Sequence, residues 1–164
     1  MAHDSGLQHL LNQFAAAIGL DALDLDEEGL CALRFSGTIT VEMSARDDQL
    51  LMYSDLGAVP NGTEETLYPA LLQANLFWQS THGATLSITD DLPPRVVLAC
   101  MLDWSHHTAV QFERLMEQFV DAAENWMGRI SASATARLDA GTGATPAQGG
   151  APGTAPERWD MLRG

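Results

Sequence analysis

The chain reads as an α+β domain in the order helix, three-strand antiparallel meander, helix, two strands, helix. Three observations carry that reading. Residues 30–56 contain three short runs of alternating apolar and polar residues joined by tight turns, the pattern of an antiparallel meander with one wet face. Apolar stripes at helical spacing stand at either end of the chain, in residues 7–18 and 112–127. Between them, Thr66 to Ile88 starts as a helix and passes through a glycine into a short strand. At 164 residues, with 46% hydrophobic and 18% charged content, the chain is long enough for a single real core.

Ser5 and Gln8 have capping-box spacing at the start of the first helix. Leu7, Leu10, Leu11, Phe14 and Ile18 form its stripe, and Gly19 is placed as a C-terminal cap. Asp24, Asp26, Glu28 and Gly29 imitate the front of a calcium loop. The twelfth position, which should supply a bidentate carboxylate, is Phe35, so an acidic turn is expected instead.

In the meander, Cys31, Leu33 and Phe35 alternate with Leu30, Ala32 and Arg34, and Ile39, Val41 and Met43 alternate with Thr38, Thr40 and Glu42. Leu50 to Leu56 continues the pattern more loosely, and Pro60-Asn61-Gly62 then breaks the chain.

The central helix is expected to be capped by Thr66, with Pro69 in its first turn. Leu67, Leu71, Ala74 and Trp78 share one face, while Tyr68, Leu72, Leu76 and Phe77 cover most of the rest. A helix apolar nearly all round needs cover on two sides, and a second copy of the chain is the natural source. Gly83 ends the helix and Ala84 to Ile88 reads as a strand. Arg95 to Leu102 is an almost wholly apolar strand, suited to a sheet interior or an interface. The third helix is expected from Ser105, with Phe112, Leu115, Met116, Phe119, Val120, Ala123, Trp126 and Met127 inward and Glu113, Glu117, Asp121 and Glu124 outward. From residue 131 the Ala, Gly, Thr, Ser and Pro composition is too poor in large apolar groups to offset ordering entropy. The expected division is therefore a domain at 1–130 and a flexible tail at 131–164.

Charge and chemistry narrow the function. The net charge is −14 and all eight basic residues are Arg, which disfavours nucleic acid and anionic membrane surfaces and favours a basic partner. Cys31 and Cys100 read as isolated buried thiols. No secretory leader or bilayer-spanning run is read from the residues. Asp103, Ser105, His106 and His107 look like an acid, nucleophile and base set. Adjacent helical positions point apart, however, and no elbow exposes the serine. Neither a zinc set nor a phosphate loop has the required spacing. The expectation is a protein with no enzymatic activity, no cofactor and no metal.

The run LLQANLFWQSTHGATLSI, from Leu71 to Ile88, and the ending FVDAAENWMGRI, from Phe119 to Ile130, resemble the signatures of the Tir chaperone (CesT) family of type III secretion chaperones, and the resemblance covers about residues 5–128. It implies a homodimer, a twisted sheet packed on helices. In the bacterial cytoplasm such a protein binds an N-terminal segment of a secreted effector, keeps it extended and secretion-competent, and helps deliver it to the secretion apparatus. The secretion ATPase or sorting components are implied as further contacts. The alternative is a dimeric protein-binding module of the same fold acting on another secretion component or a regulator. An extended client would add a strand at a sheet edge and place apolar side chains in a groove. That groove is assigned to Leu7, Leu10, Leu11 and Phe14 of the first helix and Phe35, Ile39, Val41, Met43 and Met52 of the meander. Dimerisation is assigned to Leu72, Leu76, Phe77, Leu86 and Ile88.

Overall fold

A computed structural model of the chain describes residues 5–142. Helix α1 (Ser5–Ala17) is followed by strands β1 (Leu30–Phe35), β2 (Ile39–Arg46) and β3 (Gln49–Ala58), then helix α2 (Glu64–Ala74), strands β4 (Thr85–Ile88) and β5 (Arg95–Asp103), and helix α3 (Ala109–Thr142). The five strands form one antiparallel sheet in the order β1-β2-β3-β5-β4. The α+β element order read from the sequence is the one observed.

Strand alternation sorts the two faces of the sheet. Leu33, Val41 and Met43, Leu50 and Met52, and Val96, Leu98 and Leu102 all point to the helical side and are buried. α1 and α3 cover that side, and the contact between them centres on Phe14 and Phe112, edge to face with ring centroids 5.1 Å apart. Trp126 is also buried, with the Arg129 guanidinium 4.0 Å from its ring centroid. On the other face, Leu30, Ala32, Glu42, Tyr53, Ala99 and Met101 are exposed or half-buried. β3 carries one extra residue opposite β5, between Asp55 and Gly57, and the Arg95–Asp55 ion pair stands beside this bulge.

Several boundaries differ from expectation, each for a physical reason. Ser5 lies within α1, and Gln8 does not close a capping box; its amide clamps the 23–25 segment through the Leu23 carbonyl (2.9 Å) and the Leu25 N–H (3.4 Å). Gly19 does terminate the helix, at φ +79°. α2 starts three residues early, because the Thr63 carbonyl already accepts from Thr66 and Leu67. Glu64 and Glu65 in its first turn suit the helix dipole, and Pro69 falls inside the helix rather than in that turn. α2 also ends early, at Ala74. Phe77 and Trp78 take left-handed conformations (φ +57° and +51°) in a short 3-10 turn, so Trp78 leaves the Leu67–Leu71–Ala74 face.

Ser105 sits in a second 3-10 turn, where the Asp103 carboxylate accepts from its N–H. The capping box of α3 is Thr108 with Gln111. Helix α3 continues twelve residues beyond the boundary expected at 130, to Thr142. The residues expected to begin the flexible tail are rich in alanine, the best helix former, and Ser133 and Thr135 donate their hydroxyls to the carbonyls four residues back. The expected tail beyond residue 142 lies outside the described residues.

Candidate protein-binding surfaces

The groove assigned from sequence is closed. Leu7, Leu10, Leu11, Phe14, Ile39, Val41, Met43 and Met52 are all buried in the core between sheet and helices. The periodicity identified the right face, but α1 and α3 together cover it. Phe35, half-buried at the end of β1, is the one residue of that set within reach of a partner.

The sheet has two edges, and they differ. At β4, the side chain of Asn75 behaves like a neighbouring strand: its Nδ2 donates to the Leu86 carbonyl and its Oδ1 accepts from the Leu86 N–H, both at 2.9 Å. The Trp78 indole N–H donates to the Thr85 hydroxyl nearby at 3.1 Å. This pairing explains why α2 stops at Asn75 and why the chain turns through left-handed residues to reach β4. It also satisfies the backbone of Leu86, one of the two residues of β4, with Ile88, whose N–H and C=O face that edge.

At β1, the turn over residues 26–29 covers only the first residue. Leu30 donates its N–H to Asp26 Oδ1 and accepts from the Asp26 N–H, each at 2.9 Å. Because Leu30 thus faces outward, strand alternation directs the N–H and C=O of Ala32 and Arg34 to the open side as well. Beside this edge the outer face forms a shallow depression with Leu30, Ala32 and Tyr53 as apolar surface and Asp26 and Glu42 as its acids. Glu42 lies directly opposite Tyr53 in the register. A hydrogen bond to Glu42 pushes the Tyr53 hydroxyl above its ordinary pKa, with burial adding in the same sense. The site thus offers backbone hydrogen bonds, an apolar floor and negative charge.

A second surface is strongly apolar. Leu72, Leu76 and Phe77 are 72%, 64% and 75% exposed, and Trp78 and Ile88 are 50% and 44% exposed. Tyr68, Leu71, Leu72, Leu86 and Ile88 line a hollow between α2 and β4. Four of the five residues assigned to dimerisation are therefore at the surface. Leu86 is not: it is buried within its own chain. Sequence reasoning missed Trp78 here, because a continuous helix would have turned it inward.

The Asp103, Ser105, His106 group does come together, but not as a catalytic relay. The Ser105 hydroxyl donates to Asp103 Oδ1, and that bond, partly opposed by burial, holds the Asp103 carboxyl below its usual range. One and the same His106 nitrogen, Nδ1, faces both Ser105 Oγ (3.3 Å) and Asp103 Oδ2 (3.1 Å). A relay needs the two ring nitrogens to face different partners. His107 turns away, to the Asp103 carbonyl. Among the described residues no three His, Cys, Asp or Glu side chains are grouped to hold a metal ion, and no helix is long and apolar enough to cross a membrane.

Comparison with known proteins gives a consistent result. The transcriptional anti-antiactivator ExsC of Pseudomonas aeruginosa is 30% identical over 125 residues, which span 74% of this chain and 83% of the relative. Among solved structures, the ExsC–ExsE complex superposes with a TM-score of 0.64 at 28% identity, covering 77% of this chain and 95% of that one. The Yersinia pestis type III secretion chaperone SycH, solved with a fragment of YscM2, gives 0.60 at 20% identity over 72% and 97% of the two chains, a likeness of fold. The model of the Tir chaperone protein (CesT) family matches residues 9–127. With that match covering most of the chain, and with the α1–meander–α2–hairpin–α3 order in place, the chain belongs to the Tir chaperone protein (CesT) family.

Proposed function

We propose that this protein is a type III secretion chaperone of the bacterial cytoplasm. It takes up an N-terminal segment of a secreted effector, keeps it extended, and hands it to the secretion apparatus, where the secretion ATPase or sorting components are its contacts. It acts as a homodimer and carries out no covalent chemistry. The observation that carries the reading is the asymmetry of the sheet: on the short β4 the Asn75 amide occupies Leu86, whereas the longer β1 has the outward backbone groups of Ala32 and Arg34 next to an apolar, acidic face. An extended client pairs with Ala32 and Arg34 and sets alternate side chains on the Leu30–Tyr53 surface and against Phe35. Asp26 and Glu42 favour clients with Lys or Arg nearby, mainly through faster encounter.

Ala32→Pro tests this reading. Its outward N–H makes proline tolerable on an edge strand, while the donor offered to the client disappears. With an effector N-terminal fragment in calorimetry, we expect Kd to rise at least about tenfold, roughly 1.4 kcal/mol, with an unchanged circular dichroism spectrum. Wild-type affinity in a folded Ala32→Pro protein would place the client elsewhere.

The relative named as a transcriptional anti-antiactivator, together with its complex with ExsE, favours a second reading, in which the partner is a regulator of the secretion system. Both readings use the same edge. They separate on whether the partner bound by the full-length chain is itself secreted.

A further inference from the structure

The β1 edge asks for a short extended segment with apolar side chains flanked by positive charge. This chain contains one. Across residues 143–164 the large apolar side chains are confined to Trp159, Met161 and Leu162, bracketed by Arg158 and Arg163. That stretch holds two acids and two arginines, whereas residues 1–142 hold the other twenty acids against six arginines (22 less Glu157 and Asp160; 8 less Arg158 and Arg163). A neutral segment carrying arginines is thus tethered to a body of charge −14.

The tether is long enough. Fifteen residues, 143–157, separate the end of α3 from Arg158. Extended, such a length reaches roughly 50 Å, and as a Gly-rich coil it averages about 20 Å. Five strands span about 19 Å between their outer edges. α3 delivers the tether next to the loop before α2, since the Arg137 guanidinium lies 2.9 Å from where a Cβ on Gly62 would stand. From there either side of the sheet is within range.

We propose that residues Arg158–Leu162 dock along β1 of the same chain as a resident stand-in for the client. This inference rests on the reading of β1 as the client edge. The segment pairs with the outward backbone groups of Ala32 and Arg34, Trp159, Met161 and Arg163 share one side of the added strand over the Leu30–Tyr53 surface, and Arg163 on that side faces the acids Asp26 and Glu42. A client therefore competes with a self-segment. With a tethered concentration of a few mM acting on an intrinsic Kd near ~0.5–1 mM, client affinity is lowered about three- to tenfold.

The experiment compares full-length wild type with the full-length Trp159→Ala/Met161→Ala variant by amide hydrogen exchange. The expected result is exchange at Ala32 and Arg34 about three- to tenfold faster in the variant. A fluorophore-labelled peptide of residues 157–164, added in trans, should bind the variant three- to tenfold more tightly than wild type, and should lose binding when Ala32→Pro is added. Unchanged exchange at Ala32 and Arg34, or altered protection at Leu72 and Ile88 instead, overturns the proposal. The client reading is tested apart from this, by whether Ala32→Pro weakens an effector fragment in the Trp159→Ala/Met161→Ala background.

Discussion

Phe77→Asp is the sharpest test of dimerisation through the α2–β4 surface. The residue is 75% exposed at φ +57°, a conformation aspartate tolerates better than phenylalanine does, so the substitution leaves the fold of a single chain intact or relieves strain. Fully burying a Phe side chain is worth about 1.5–3 kcal/mol, so an interface that covers the exposed three-quarters gains about 1–2 kcal/mol per copy. In a two-fold dimer the change occurs twice, a loss of about 2–4 kcal/mol, or roughly 30- to 1,000-fold in the dimer Kd. Desolvation of the new carboxylates adds to this. Sedimentation equilibrium should show wild type near twice 17.7 kDa at micromolar concentration and Phe77→Asp shifted to the monomer. Val110→Asp is the matched control, since Val110 is 74% exposed but stands in the first turn of α3, outside the patch. A wild type that is folded and monodisperse as a monomer would refute the reasoning, as would a Phe77→Asp protein that associates as tightly as Val110→Asp.

Asn75→Ala removes both hydrogen bonds to the Leu86 backbone and should cost about 1–3 kcal/mol, read as a lower urea midpoint at unchanged m-value. Ser54 is 1% exposed and its hydroxyl has no hydrogen-bond partner among the described residues. Ser54→Ala should therefore be neutral or stabilising by up to about 1–2 kcal/mol, and a clear loss of stability in thermal unfolding would reveal a bond its hydroxyl makes. Burial, with the Asp26 carboxylate adding to it, pushes the Cys31 thiol up to about 11. Both effects disfavour the thiolate, so its reaction with a disulfide reagent should be slow at pH 8 and accelerate up to that value, and Asp26→Asn should move the rate profile to lower pH. Fast labelling of Cys31 at pH 8 would contradict the burial assigned to it.

What could be read from the sequence was whatever depends on neighbours a few residues apart. The alternation of Ile39, Val41 and Met43 fixes which way each points, and the Phe112 to Trp126 stripe fixes the inner face of α3. Periodicity states that a face is apolar without stating what covers it, which is why residues assigned to a client groove turned out to be core. The end of α2 was hidden for a different reason: Leu76, Phe77 and Trp78 suit a helix locally, and the competitor is a hydrogen bond pair between Asn75 and a strand residue eleven positions later. Residues 131–142 carry too few large apolar groups to signal packing, which suggests a flexible tail; they are helical in the structure because their alanines extend a helix already nucleated by the packed part of α3.

The Asn75 amide also makes the two edges of the sheet unequal in their capacity to recruit a strand. A sheet with two open edges is a monomer in the polymer chemist's sense, able to add a strand on each side and so to propagate without limit. One side chain seated on Leu86 takes that position of β4 out of reach, and the shortness of the strand leaves Ile88 as the other residue facing outward there. The two ends of the sheet are thus unequal, and a strand recruited to it is expected at β1, where Ala32 and Arg34 lie beyond the Asp26 turn, rather than at β4.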